Sequence, residues 1–211
     1  MKPEKEIRAF NAELRVKRDA DQPPVISGYA AVFNRWSEDL GYFREKIAPG
    51  AFAAALKTSD VRALINHDPN QIVGRTGVNL TLKEDKDGLF MELSPPPAGS
   101  ARFDALAADI ESGLITQQSF GFRVAKDEWE EKKGPDGEFE AKRTILEIEE
   151  LLDVSPVVFA AYPDTSVAKR SLEAFQKSSQ TGGTEDGQTA AGVEIEQEQN
   201  ANTITIMEIE Q

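Results

Sequence analysis

Apolar side chains recur at every second position through much of this chain, the spacing of strands that bury one face. Residues 7–18 alternate through Phe10, Ala12, Leu14 and Val16 and predict a first strand. Asp21-Gln22-Pro23-Pro24 breaks the pattern, Val25 to Phe33 forms a second run, and Phe43 to Ile47 a short third. Val61 to Asn66 is another apolar run. It ends at His67-Asp68-Pro69-Asn70, whose turn-forming residues place His67 at a strand end. Leu80 to Lys83 and Leu89 to Leu93 flank Glu84-Asp85-Lys86-Asp87-Gly88, a hairpin signal. A longer hairpin is predicted from Ile115 to Trp129 and from Ala141 to Val158, around Lys133-Gly134-Pro135-Asp136-Gly137.

Three segments carry the helical period instead. Gly50 to Lys57 follows Pro49, a residue suited to a helix start. Ser100 to Ser112 has the stripe Phe103, Leu106, Ala107 and Ile110, with Ser100 as N-cap and Gly113 past the end. Asp164 to Lys177 places Val167, Leu172 and Phe175 on one side. The expected fold class is β-rich α+β: a mostly antiparallel sheet, closed or nearly closed into a barrel, with about three helices packed outside.

The pattern stops near Lys177. The following Ser-Ser-Gln-Thr-Gly-Gly-Thr-Glu-Asp-Gly-Gln-Thr has no large apolar residue and cannot bury enough surface to offset ordering entropy. The expected division is therefore a folded domain over 1–176 and a disordered tail over 177–211. From Lys177 onward seven acidic side chains face one lysine, so the tail holds −6 of the chain's formal −13. Ile204-Thr205-Ile206-Met207-Glu208-Ile209 alternates as a strand does. It reads as a solvated tail with chance alternation; the rival readings are a docking peptide and a segment removed in maturation.

Charge and composition restrict the chemistry. A net −13 argues against a nucleic-acid partner, which needs a basic face. No run approaches the ~18 to 20 apolar residues of a membrane span, so no membrane association is expected. Met1 to Glu6 is charged with no apolar region behind it, so no signal peptide is expected and the site of action is the cytoplasm. Cysteine is absent and histidine occurs once, which removes disulfides, thiolate nucleophiles and multi-histidine metal sites. No calcium loop or Walker-type glycine loop is present, and no cofactor or metal is expected.

The remaining nucleophiles are a hydroxyl, a lysine or a carboxylate. A serine hydroxyl needs a base whose pKa lies near the working pH, and imidazole meets that need. In a serine enzyme of this kind His67 is that base, because the chain has no other histidine. Ser119 lies in Gln117-Gln118-Ser119-Phe120-Gly121-Phe122, a small polar residue inside an apolar strand. The glycine two positions on gives the backbone room to approach a ligand. The structural alternative is a bulge or edge serine satisfied by a neighbour.

These segments belong to an ordered series. Glu45-Lys46-Ile47-Ala48-Pro49-Gly50-Ala51-Phe52 is followed by Val61-Arg62-Ala63-Leu64-Ile65-Asn66-His67-Asp68, Gly74-Arg75-Thr76 and Gly88-Leu89. Then come Gln118-Ser119-Phe120-Gly121-Phe122, Leu152-Asp153-Val154-Ser155-Pro156-Val157 and Ala161-Tyr162-Pro163-Asp164-Thr165. From about residue 7 to residue 170 the series resembles the prohead, or capsid maturation, protease family of tailed bacteriophages. The resemblance implies the fold of herpesvirus assemblin, a β-barrel surrounded by helices. It also implies a catalytic set of His67, Ser119 and an acidic member in the Asp-Val-Ser motif, Asp153, where the family often carries Glu. Ala160 stands where the family commonly has Pro.

Asp68 is the rival acid; adjacent residues on a strand point to opposite faces, an argument that a turn at Pro69 defeats. Ser155 is a rival nucleophile, and Arg75 a candidate substrate contact or simply a solvated arginine. The function implied is a viral serine endopeptidase inside the assembling prohead in the host cytoplasm. It cleaves the scaffolding portion of the major capsid protein, and itself near Lys169, Arg170 or Lys177. The implied partners are that capsid protein with its scaffolding segment, and a second copy of the chain, since the herpesvirus relatives are dimers. The alternative is a catalytically silent capsid-assembly scaffold protein of the same fold. A non-proteolytic esterase lacks the Gly-x-Ser-x-Gly elbow.

Overall fold

The alternating segments become ten strands in the computed structural model, which describes residues 3–11, 13–20, 22–40, 43–133, 139–159, 170–173 and 176–177. In chain order these are β1 (Glu6–Asn11), β2 (Arg15–Lys17), β3 (Val25–Val32), β4 (Phe43–Ile47), helix α1 (Ala55–Thr58), β5 (Arg62–Ile65) and β6 (Asp68–Arg75). They continue with β7 (Leu80–Glu84), β8 (Gly88–Leu93), helix α2 (Ala101–Glu111), β9 (Gln117–Lys133) and β10 (Phe139–Val157).

The pairing gives two sheets. One has the order β1-β9-β10-β5-β6, with β4 also on β10; the other runs β2-β3-β8-β7. Most neighbours are antiparallel, as expected, but β10 pairs in parallel with both β4 and β5. Those two strands use different ends of β10. Successive register shifts between Ile145 and Asp153 bend this long strand, so that one end serves β4 and the other β5.

Two expectations change. The sheets do not close into a barrel: β1, β6, β2 and β7 end their sheets, and isolated bridges at Phe33–Ile47 and Thr76–Leu80 are the links between them. Closure depends on which edges meet, and alternation within one strand does not specify that. The expected strand over 7–18 is two strands in different sheets, β1 on β9 and β2 on β3. The inner faces of both sheets share one core, in which Ile26, Leu89, Met91, Phe120, Phe122, Ile148 and Val154 are buried. Burying each such side chain contributes about 1.5–3 kcal/mol.

α2 follows its pattern closely. Ser100 Oγ accepts from the Phe103 amide, Phe103, Leu106, Ala107 and Ile110 are all buried, and Gly113 ends the helix at φ 75°. The segment behind Pro49 forms turns and only the short α1. The third expected helix is described at 170–173 and 176–177, which are helical, and Leu172 packs with Leu40, Phe43 and Ala141. The tail from residue 178 lies outside the described residues. Among the described residues no helix is long and apolar enough to cross a membrane, and no group of three His, Asp or Glu could hold a metal ion.

β1 is fastened from below. Arg8 and Arg143 interleave with Glu6 and Glu45: Arg8 bonds Glu45 and Glu6, and Arg143 bonds Glu6 at 2.7 Å and Asp127 at 2.7 Å. Arg143, Glu45 and Glu6 are at most 5% exposed. Burial acts to raise the Glu6 carboxyl, but the hydrogen bonds and charges of Arg143 and Arg8 hold it below its ordinary value. The Glu6 carboxylate is thus favoured, and the cluster ties β1 to β4 and β10.

Candidate active site

Register places the predicted residues on one face. Across β1, β9 and β10, Ala9 lies opposite Ser119 and Ser119 opposite Ser155; Ile7 lies opposite Gly121 and Gly121 opposite Asp153. Paired residues project to the same side of a sheet, and positions two apart share it. Phe120 and Phe122 project to the other side and stack in the core with ring centroids 4.8 Å apart. The sequence thus anchors the strand by its aromatics and leaves a floor of small residues, Ala9, Ser119, Gly121 and Ser155, on the opposite face.

His67 reaches that floor from the β5–β6 hairpin. Asn66 and His67 both have positive φ, 54° and 57°, between the paired Ile65 and Asp68. This is the two-residue turn with both central residues left-handed, a conformation that Asn and His enter more readily than most residues with a side chain. The turn is Asn66-His67 itself, one step earlier than expected, and Pro69-Asn70 instead falls in the irregular start of β6. There the register jumps from Ile65–Asp68 to Leu64–Ile72. Asn66 locks the turn to β10: its amide donates to the Pro156 carbonyl at 3.0 Å, and its Oδ1 accepts from the Val158 amide at 2.9 Å. Holding histidine at positive φ costs about 1 kcal/mol or more.

The imidazole bridges the two other predicted residues. His67 Nδ1 lies 2.5 Å from Asp153 Oδ1, and Nε2 lies 2.6 Å from Ser119 Oγ. A carboxylate can only accept, so Nδ1 carries a proton. In the neutral ring Nε2 then accepts from the serine hydroxyl. Ser119 Oγ also lies 3.0 Å from the Arg8 carbonyl, so its one proton has two acceptors. Ser155 Oγ donates to Asp153 Oδ1 at 2.7 Å, and Lys5 Nζ faces Oδ2 at 3.3 Å. Burial acts to raise the Asp153 carboxyl; the hydrogen bond and charge of His67, the Ser155 hydroxyl and the Lys5 charge together hold it below its ordinary value. Ser119 and Ser155 are fully buried, whereas the His67 side chain is 12% exposed.

Gly121 makes the arrangement possible. A Cβ there would meet Asp153 Oδ2 at under 3.0 Å and Lys5 Cε at 2.9 Å. Its φ is not among the positive values, so it is space rather than backbone freedom that requires glycine. The expected role of room for a ligand becomes room for the carboxylate that faces His67.

The other candidates lie elsewhere. Asp68 Oδ1 accepts from the Asn70 amide at 2.8 Å and from its side-chain nitrogen at 3.0 Å. Arg75 pairs with Asp60 at 2.7 and 2.8 Å. Ser155 donates to the Asp153 carboxylate, whereas the imidazole Nε2 faces Ser119. Sequence reasoning missed Asn66, whose signal was an Asn beside a strand end, and Lys5 and the Arg8 carbonyl, for which sequence gives no signal. A cleft of about 690 Å³ opens along the outer edge of β1, lined by Ile7, Phe10, Trp36, Gln117, Phe120 and Phe159 among others. His67 and Ser119 do not line it.

Among solved structures the chain is similar to the bacteriophage T4 capsid assembly protease, gp21, at 14% sequence identity and a TM-score of 0.47, over 74% of this chain and 97% of that one. No curated protein matches it. The family model described as caudovirus prohead serine protease matches residues 11–178, a span that contains His67, Ser119 and Asp153 and most of the fold described above. On that match, the chain belongs to the caudovirus prohead serine protease family.

Proposed function

We propose that this protease cleaves the scaffolding portion of a phage major capsid protein during prohead maturation, with Ser119 as nucleophile, His67 as base and Asp153 as the acid behind it. The observation that carries this reading is the unbroken contact from Asp153 Oδ1 through the imidazole to Ser119 Oγ, at 2.5 and 2.6 Å, among residues far apart in sequence. Family membership supports peptidase activity in capsid maturation.

In this mechanism Ser119 Oγ attacks the scissile carbonyl as its proton passes to His67 Nε2. Asp153 holds the Nδ1 proton and stabilises the imidazolium. The imidazolium then protonates the departing amine, and water releases the acyl group by the same relay. An extended substrate segment fits the cleft beside β1, whose outer edge has no strand partner among the described residues. Ser119 does not line this cleft, so the scissile bond must pass Ala9, which lines it and lies opposite Ser119. Confinement within a shell makes modest affinity per site sufficient. The reading includes kinship to herpesvirus assemblin, assembly as a dimer, and self-cleavage near Lys169, Arg170 or Lys177.

One observation favours the silent assembly protein: Ser119 is fully buried, so a substrate must uncover it. Co-expression with the capsid protein decides between them. Wild type is expected to process capsid protein, read by intact mass, and Ser119→Ala and His67→Ala to leave it whole. Processing by Ser119→Ala refutes the nucleophile; shells that assemble with wild type and are never processed favour the silent protein.

A further inference from the structure

The acid of the site has a neighbour from a part of the chain that precedes the family match. Asp153 is 3% exposed, and its two oxygens are differently held: Oδ1 takes His67 and Ser155, while Oδ2 faces Lys5 Nζ at 3.3 Å. Lys5 reaches it by passing over Gly121, where its Cε occupies part of the space that a Cβ would fill. The chain around Lys5 is fixed at both ends. Arg123 bonds the Pro3 carbonyl, and Glu6 and Arg8 are locked into the buried ion cluster. Strand pairing begins at Glu6 opposite Phe122, so Lys5 emerges beside Gly121 on the same face as Ser119. Its side chain is 40% exposed, yet its ammonium is directed inward at a carboxylate.

We propose that Lys5 is a positioning residue of this active site, holding Oδ2 of Asp153 so that Oδ1 is presented to His67 and setting the charge that the imidazole meets. The proposal rests on the reading of His67, Ser119 and Asp153 as the catalytic set. An ion pair on Oδ2 opposes rotation of the carboxylate away from Nδ1, which is the constraint that the relay needs. The ammonium also places a like charge behind the imidazolium that forms during attack.

Among the described residues the other charges near this face are engaged elsewhere: Arg123, two positions from Gly121 on β9, pairs with Glu150 at 3.2 Å. Arg62, across from Asp153 on β5, is paired with Asp60 at 2.7 Å; Glu4 pairs with Arg170 at 2.9 Å; Asp68 is bonded to Asn70. Ile7 and Ala9 on β1, Gly121 and Ser119 on β9, and Ser155 on β10 bring no charge to this face.

The test uses the full chain as wild type, Lys5→Met, Lys5→Arg and Ser119→Ala, with Lys86→Met as a remote control. Each is treated with a fluorophosphonate, which forms a bond from Ser119 Oγ to phosphorus as fluoride leaves and the hydroxyl proton passes to His67. Labelling rate is followed by intact mass from pH 5 to 9. In Lys5→Met the acid limb is expected to move up by roughly half to one pH unit, and the plateau to fall about 3- to 10-fold; Lys5→Arg restores the limb. Carboxyl carbon NMR of aspartate-labelled protein, with Asp153→Asn for assignment, gives a readout independent of probe access. There Asp153 titrates at higher pH in Lys5→Met than in wild type. Superimposable profiles and unchanged Asp153 titration in Lys5→Met, with Ser119→Ala unlabelled, overturn the role of Lys5 and leave the catalytic set standing. Labelling of Ser119→Ala at the wild-type rate overturns the catalytic set itself.

Discussion

Replacing Gly121 with alanine isolates one contact of the site, because its backbone conformation accepts alanine and its side-chain space does not. The added methyl meets Asp153 Oδ2 at under 3.0 Å where ordinary contact begins at 3.4 Å. The Lys5 stem, the end of a flexible side chain, gives way easily, but the carboxylate must retreat by roughly 1 Å or rotate, and at that displacement a relay loses about 100-fold in rate. Overpacking of this kind also costs about 1–3 kcal/mol of stability. The decisive assay is a double-mutant cycle by urea unfolding: wild type, Gly121→Ala, Asp153→Ala and the double variant. Truncating Asp153 removes the oxygen that the methyl strikes, so the cost of Gly121→Ala should nearly vanish there, a coupling of about 1–2 kcal/mol. Capsid-protein cleavage by the single variant supplies the activity half of the prediction. If Gly121→Ala costs the same with and without the Asp153 carboxylate, the glycine serves some other contact and the steric account is wrong.

Three further outcomes follow from the same contacts. Arg143→Met leaves the buried Glu6 and Glu45 with Arg8 as their one remaining shared cation and is expected to destabilise the fold by about 3–5 kcal/mol, measured by urea unfolding. Acid should erode stability because the Glu6 and Asp153 carboxyls are both held below their ordinary values of 4.5 and 3.8; the contribution is complete above those values and is lost as pH falls through the lower folded ones. Thermal melting between pH 7 and pH 3 checks this, and Asp153→Asn should flatten part of the fall. Asn66→Ala keeps the backbone bond to Pro156 but removes the side-chain bond from the Val158 amide and a residue suited to the turn; cleavage should fall about 10-fold or more while melting temperature drops by only a few degrees.

The strands were legible wherever a side chain's neighbours decide its position. β4 spans the residues that alternation assigns to it, and α2 starts at its serine cap and stops before Gly113 because cap, stripe and terminator agree. β6 was not legible: Asp68-Pro69-Asn70-Gln71 are polar and largely exposed, and only Val73 and Gly74 are buried. The division of 7–18 into two sheets and the absence of a closed barrel depend on edge pairing, which an alternating pattern leaves open. In the site, a single histidine and a serine among aromatics were visible one by one. Asp153 came from a motif resemblance, because a carboxylate 86 residues from its partner has no local signature. The turn at Asn66-His67 was hidden by Pro69-Asn70, which carry the stronger turn propensity but occupy an irregular strand start instead.

The first strand bears on both ends of the relay, and this follows from counting protons. Ser119 has one hydroxyl proton, with His67 Nε2 at 2.6 Å and the Arg8 carbonyl at 3.0 Å to receive it. When the imidazole is neutral, Nε2 is the closer acceptor and the hydroxyl points along the reactive direction. When it is protonated, Nε2 becomes a donor to Oγ, and the hydroxyl must turn to the carbonyl. In the proposed mechanism the Arg8 carbonyl thus satisfies the buried serine in the form of the enzyme that cannot act, sparing it the roughly 1–3 kcal/mol of an unmet buried hydroxyl. Lys5, three residues earlier on the same segment, puts a positive charge beside Asp153. A displacement of β1 therefore changes both the charge behind the imidazole and the alternative acceptor in front of it. The buried pairs of Arg8 and Arg143 with Glu6 and Glu45 hold this strand in register, so in the proposed mechanism that ion cluster serves the chemistry as well as the fold.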